Sequence, residues 1–137
     1  MKQQITPMLS YENGAAMMDW LCKVFGFTEK AKWLDDDGRL THGEIAMGEN
    51  IIMVATPSTD YKCPASLRKI CDVVTKMYTT PYIINGVLVY VNEIENHFKH
   101  AKSNGAIILS EIETGGPGTR YRSEDLEGQR WMFMERG

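Results

Sequence analysis

The chain has 137 residues, 43% of them hydrophobic and 24% charged, with a formal net charge of −3. That is one domain's length with enough apolar material for a core, and it describes a soluble globular protein. There is no basic patch with interleaved aromatics and no apolar run near the ~20 residues of a membrane span, so neither nucleic acid nor membrane is expected as a partner.

Cys22, Cys63 and Cys71 are odd in number and lack metal-ligand spacing. The first residues run straight into strand-like sequence without a signal-peptide core. Together these features imply reduced thiols in a cytoplasmic protein.

Ile5 to Tyr11 reads as a strand, with Pro7 suited to an edge or bulge. Asn13 and Gly26 bracket a helix from Gly14 to Phe25, with Met17, Leu21 and Val24 on one side. Phe27 to Leu34 is a second strand. Asp35-Asp36-Asp37-Gly38 reads as a hairpin turn, because the rest of a calcium-loop pattern is missing. Thr41 to Met47 and Ile51 to Ala55 follow as strands.

Residues 57–84 are too long for a bare connector. Pro64 suits a first helical position, and Leu67, Ile70, Cys71, Val74 and Met77 keep helical spacing, which predicts one short helix over 64–77. Tyr61, Tyr78 and Tyr82 gather around it. The segment is open to three readings: a packed connector, a flap over a cavity mouth, or a contact with a second subunit.

Gly86 to Val91 is then a strand, Ile94, Phe98 and Ala101 mark a helix face, and Gly105 ends that helix. Ala106 to Ile112 is a strand. Thr114-Gly115-Gly116-Pro117-Gly118 reads as a loop excluded from strands. Arg120 to Glu124 and Arg130 to Glu135 close the series.

The order β-α-β-β-β therefore occurs twice. Asn13 and Asn92, Gly26 and Gly105, and Met53 and Met132 are each 79 positions apart. The helix faces match better at a shift of 77, which predicts a second helix about half a turn longer. Half a chain of this size closes a core poorly by itself. The expected fold is accordingly α+β: a single domain of residues 1–137 in which module 1 (about 4–56) and module 2 (about 85–136) pair into a curved mixed sheet around one cavity.

Strand alternation sorts the side chains into a helix face and an inward face. Met8 and Ser10, His42 and Glu44, Met53, Leu88 and Tyr90, and Arg130, Met132 and Met134 fall inward. The 79-residue repeat carries His42 onto Tyr121, which is expected inward too. Such a lining is soft, thioether-rich and sparsely polar, as in a small-molecule site. Its candidate ligand-binding residues are Met8, Ser10, His42, Glu44, Met53, Leu88, Tyr90, Tyr121, Arg130 and Met132. His42 and Glu44 project from one strand and are open to three roles: structure, ligand contact, or catalysis as a base with its orienting partner. His97 and His100 sit among charged residues on a solvated helix face.

The doubled order, with Asp125-Leu126-Glu127-Gly128-Gln129-Arg130-Trp131 near the end, resembles the vicinal oxygen chelate superfamily of glyoxalases, bleomycin-resistance proteins and extradiol dioxygenases. Asn13 to Gly26 looks like the family's first helix, Gly38 to Glu44 like the segment before its third strand, and Val89 to Ile94 like the start of its second module. The likeness covers nearly the whole chain and is strongest to the glyoxalase-like, bleomycin-resistance-like branch. In the family's metal enzymes four inward side chains, mainly His and Glu, hold a divalent cation. Those positions fall at or next to Thr6, Met53, Gly86 and Met132. None of these is a His, Glu or Asp, so no metal or other cofactor is expected.

The resemblance thus implies a metal-independent protein that holds an apolar or aromatic small molecule, with antibiotic-like compounds among the candidates. The alternative is a metal-dependent lyase, isomerase or dioxygenase of the same superfamily. The resemblance also implies a homodimer, with the 64–77 segment and its tyrosines as candidate contacts.

Overall fold

The computed structural model of this chain describes residues 1–82 and 84–137. The chain divides into two compact units, Met1–Cys63 and Pro64–Gly137. The connector is therefore shared, with residues 57–63 in the first unit and the rest in the second.

In the first unit β1 (Met8–Ser10) leads to α1 (Gly14–Phe25), then β2 (Thr28–Leu34), β3 (Leu40–Met47) and β4 (Asn50–Ala55). The sheet order is β1-β4-β3-β2, with β1 parallel to β4 and the other pairs antiparallel. Asn13 starts α1 by accepting the Ala16 N–H through Oδ1, and Gly26 ends it at φ 85°, a conformation that costs glycine little. One side of α1 buries Met17, Met18, Leu21, Val24 and Phe25 against Ile45, Ile52 and Val54 of the sheet. Each such side chain contributes about 1.5–3 kcal/mol. Gly43 lets the helix approach, since a Cβ there would stand 2.5 Å from Met18 Sδ.

The second unit begins with α2 (Pro64–Arg68) and α3 (Asp72–Met77). The single helix expected over 64–77 is thus two. Lys69 and Ile70 tighten to i−3 bonds on Ser66 and Leu67, and the Thr75 hydroxyl takes the Arg68 carbonyl, which ends the first ladder. There follow β5 (Gly86–Tyr90), α4 (Ile94–Ser103), β6 (Ile107–Gly115), β7 (Gly118–Glu124) and β8 (Arg130–Arg136), with sheet order β5-β8-β7-β6. Helix α4 has 10 residues against 12 in α1, so it is shorter rather than longer as the sequence predicted. The glycine-rich segment after Thr114 is also not a free loop. Gly115 pairs with Gly118, and only Gly116 and Pro117 turn the hairpin.

The repeat is visible in detail. The first N–H of each helix is held by a side chain from the C-terminal end region of its unit's last strand, Gly14 by Thr56 Oγ1 just past β4 (2.9 Å) and Ile94 by Glu135 Oε1 in the penultimate position of β8 (3.0 Å). Asp35, between β2 and β3, and Asp125, between β7 and β8, shape like turns at places the repeat does not equate: each accepts two backbone N–H groups two and four residues on. Those bonds, led by the Arg39 N–H, hold the Asp35 carboxyl below its usual pKa.

Candidate functional site

Each sheet has a helix face and a face that its own helix does not cover. On the first sheet, Met8 pairs with Met53 and Glu44 with Met53, while Ser10 pairs with Ala55. His42 and Glu44 alternate with the helix-facing Gly43 and Ile45. Met8, Ser10, His42, Glu44 and Met53 therefore share the open face. Met8 is 75% exposed. His42 Nε2 and Glu44 Oε2 lie 2.7 Å apart, both half-buried, so the carboxylate fixes the imidazole.

Trp33 joins them, although strand alternation alone did not place it. It pairs with His42 across β2 and β3, its ring centroid lies 4.8 Å from the imidazole, and it is 62% exposed. A register shift between Glu29 and Ala31 inserts Lys30 and breaks simple alternation along β2, which hides the Trp33 side from the sequence.

On the second sheet, Leu88 pairs with Met132 and Tyr90 with Met134, opposite the helix-facing Val87, Val89, Trp131 and Phe133. Leu88 and Tyr90 are exposed, and Arg136 lies 4.0 Å over the Tyr90 ring. Arg130 is on this side but buried. Its Nε donates to Glu124 (2.9 Å), and its Nη groups donate to the Thr80 and Tyr78 carbonyls (3.0 and 2.9 Å). Glu124 also meets Arg68. Arg130 thus clamps residues 78–80 onto the sheet. The Tyr78 ring lies 4.7 Å from its guanidinium, which makes Tyr78 an internal contact.

Tyr121 corrects the sequence reading. It lies on the helix face, fully buried, stacked on Phe133 (5.3 Å) and edge-on to Phe98 (5.0 Å). Its hydroxyl shares a 2.7 Å hydrogen bond with His97 Nδ1, so His97 turns inward from α4 rather than into solvent. The cause is one extra residue. Met47 and Asn50 pair across Gly48-Glu49, whereas Asp125 bonds Gln129 across Leu126-Glu127-Gly128. That slides β7 by one position against β8 and flips every side chain. Burial raises the Tyr121 phenol above its usual pKa. The residues that face the open side from β7 are Arg120, Arg122 and Glu124, paired with Met134, Met132 and Arg130.

A cleft of ≈ 220 Å³ opens on this second sheet, bounded by Tyr82, Ile84, Leu88, Arg122, Arg130 and Met132. Tyr82 and Ile84 come from the connector, and Arg122 lies 5.6 Å from the Tyr82 ring centre.

The four positions where the resemblance places metal ligands offer a hydroxyl, two thioethers and no side chain at all. Gly86 lies against the Arg130 backbone, which a Cβ would approach to 3.3 Å. Hard divalent cations take oxygen and imidazole donors, so these residues do not fit such an ion.

The family model of the Glyoxalase/Bleomycin resistance protein/Dioxygenase superfamily matches residues 5–133. A search of curated proteins gave no match. Among solved structures, TioX from Micromonospora sp. ML1 is similar with a TM-score of 0.72 and 23% identity, covering 99% of this chain and 100% of its own. TnmS3, an antibiotic binding protein from Streptomyces sp. CB03234, has a TM-score of 0.64 and 12% identity, with 100% and 99% covered. FosX, a fosfomycin resistance protein from Listeria monocytogenes, has a TM-score of 0.66 and 10% identity, with 100% and 95% covered. At these identities the likeness is one of fold.

Proposed function

From the premise that this chain belongs to the Glyoxalase/Bleomycin resistance protein/Dioxygenase superfamily, we propose that it is a metal-independent binding protein for an apolar or aromatic small molecule. The observation that carries this reading is the first sheet's open face. An exposed indole, two thioethers and one oriented imidazole–carboxylate pair make an aromatic platform with a single polar anchor. An antibiotic-like ligand is in keeping with TnmS3, which is described as antibiotic binding.

The test is calorimetric titration with a panel of polycyclic aromatic antibiotics and simpler neutral aromatics, before and after exhaustive chelation. Binding that is unchanged by chelation and weakened tenfold or more by Trp33→Ala is expected, since base–aromatic and ring–ring contacts of this kind are worth about 1–3 kcal/mol. Binding lost on chelation and restored by a divalent ion overturns the proposal.

The 2.7 Å contact between His42 and Glu44 favours a second reading, an enzyme that uses His42 as a base. Turnover of dicarbonyl–thiol adducts or catechols that disappears in both His42→Ala and Glu44→Ala would establish it. We also propose a homodimer. Ile70, and Val73 and Met77 one turn apart on α3, are exposed apolar residues of the kind an interface covers.

A further inference from the structure

Two arginines border the cleft of the second unit, and their surroundings differ. Arg130 spends its guanidinium on Glu124, Thr80 and Tyr78. Arg122 donates its backbone N–H to Ser110 Oγ (3.0 Å), but among the described residues its guanidinium makes no hydrogen bond. Its closest carboxylate is Glu113, with Oε1 3.6 Å from Nη1, and the Arg122 side chain is only 20% exposed. A guanidinium carries five N–H donors in a fixed fork, and since no buried side-chain donor among the described residues lacks a partner, the Arg122 donors stay open to solvent and to an incoming acceptor. The cleft of ≈ 220 Å³ opens directly on this group, and its other walls include Tyr82, Ile84, Leu88 and Met132, which present ring and aliphatic surface.

We infer that this cleft is a site for a small aromatic acid: its carboxylate takes the Arg122 fork, and its ring lies against Tyr82, Leu88 and Met132. The carboxylate satisfies the donors in the planar, bidentate geometry that guanidinium favours. The exposed Tyr82 ring supplies a stacking wall, and the thioether of Met132 adapts to the ligand's outline. Glu113 is a competitor that the incoming carboxylate displaces from Arg122. The inference rests on the small-molecule reading above and names the ligand class for one of its faces.

Calorimetric titration with naphthalene-2-carboxylate and its neutral carboxamide separates the two readings. The wild-type protein is expected to bind the acid about tenfold or more tightly than the amide. Arg122→Met, checked for native circular dichroism, is expected to erase that preference. Arg122→Lys is expected to keep only part of it, because an ammonium lacks the fork. Glu113→Gln, at a half-exposed site, is expected to tighten the acid and leave the amide unchanged, and it serves if Arg122→Met does not fold.

Equal binding of acid and amide, a preference that survives Arg122→Met, or an acid affinity unmoved by Glu113→Gln overturns the inference while leaving a neutral-ligand binding protein intact. If neither compound binds, and no neutral aromatic of the wider panel does, the inference and the proposed function fall together.

Discussion

Arg130→Met should destabilise the protein more than any other single change on the open side of the second sheet. The wild-type guanidinium is 3% exposed and meets a carboxylate that is 4% exposed. Removing one partner of a buried ion pair costs about 3–5 kcal/mol, because the remaining charge stays out of water. Arg68 remains on Glu124 in the variant, which places the loss near the lower bound. The Tyr78 and Thr80 carbonyls lose their donors as well, but both residues are only half-buried and regain water, adding about 1 kcal/mol at most. The expected total is about 3–4 kcal/mol, or a fall in Tm on the order of 10–15 °C for a chain of this size. Urea denaturation followed by far-UV circular dichroism measures it. The double variant Arg130→Met/Glu124→Leu removes both charges and should be less destabilised than Arg130→Met alone. A single variant within 1 kcal/mol of wild type, or a double variant that costs the sum of its parts, refutes the clamp.

Tyr121→Phe should cost about 1 kcal/mol by removing the hydroxyl bonded to His97, read as a shift in urea midpoint at pH 7. Burial raises the folded-state phenol above its unfolded value, so the folded chain holds that proton longer. Stability from this group is full below about pH 10 and falls as pH climbs further, a decline that Tyr121→Phe should lessen. Gly118→Ala should destabilise by roughly 1–3 kcal/mol and Gly116→Ala by less, since only at Gly118 would a Cβ collide with the Glu135 carbonyl oxygen; thermal melts decide it. Light scattering should give a dimer mass, and Val73→Asp should shift it toward monomer; a monomeric wild type removes that proposal.

The first unit was almost wholly legible in the sequence because local signals and packing agree there. Asn13, Gly26 and the apolar spacing between them define α1, and Ile52 and Val54 alternate cleanly with Met53. What escaped were features decided by one residue. The bulge at Lys30 masked Trp33. The extra residue in the Asp125 turn turned Tyr121 to the helix and Arg122 to the cleft, and no periodicity within β7 announces it. The glycines before β7 suggested a loop, yet strand pairing needs only backbone groups, and close approach to Glu135 makes glycine the residue that fits at 118. The 64–77 segment kept helical spacing, but Thr75 bonding to the Arg68 carbonyl divides it.

The two units show which half of a duplicated fold is free to change. Under the helices the register is kept: Ile52 and Val54 answer to Trp131 and Phe133, and all four are buried. A substitution there must respect a filled volume. On the open faces the counterparts share only Met53 and Met132. The register-paired positions of the first open face carry Trp33, His42 and Glu44 and no Lys or Arg, so its one charged anchor is a hydrogen-bond acceptor. Those of the second carry Arg120, Arg122 and Arg130, of which Arg130 is neutralised by Glu124 and Arg122 is not matched at hydrogen-bond distance. Each sheet by itself therefore suits a different chemistry: the first offers a carboxylate acceptor and the second a guanidinium donor.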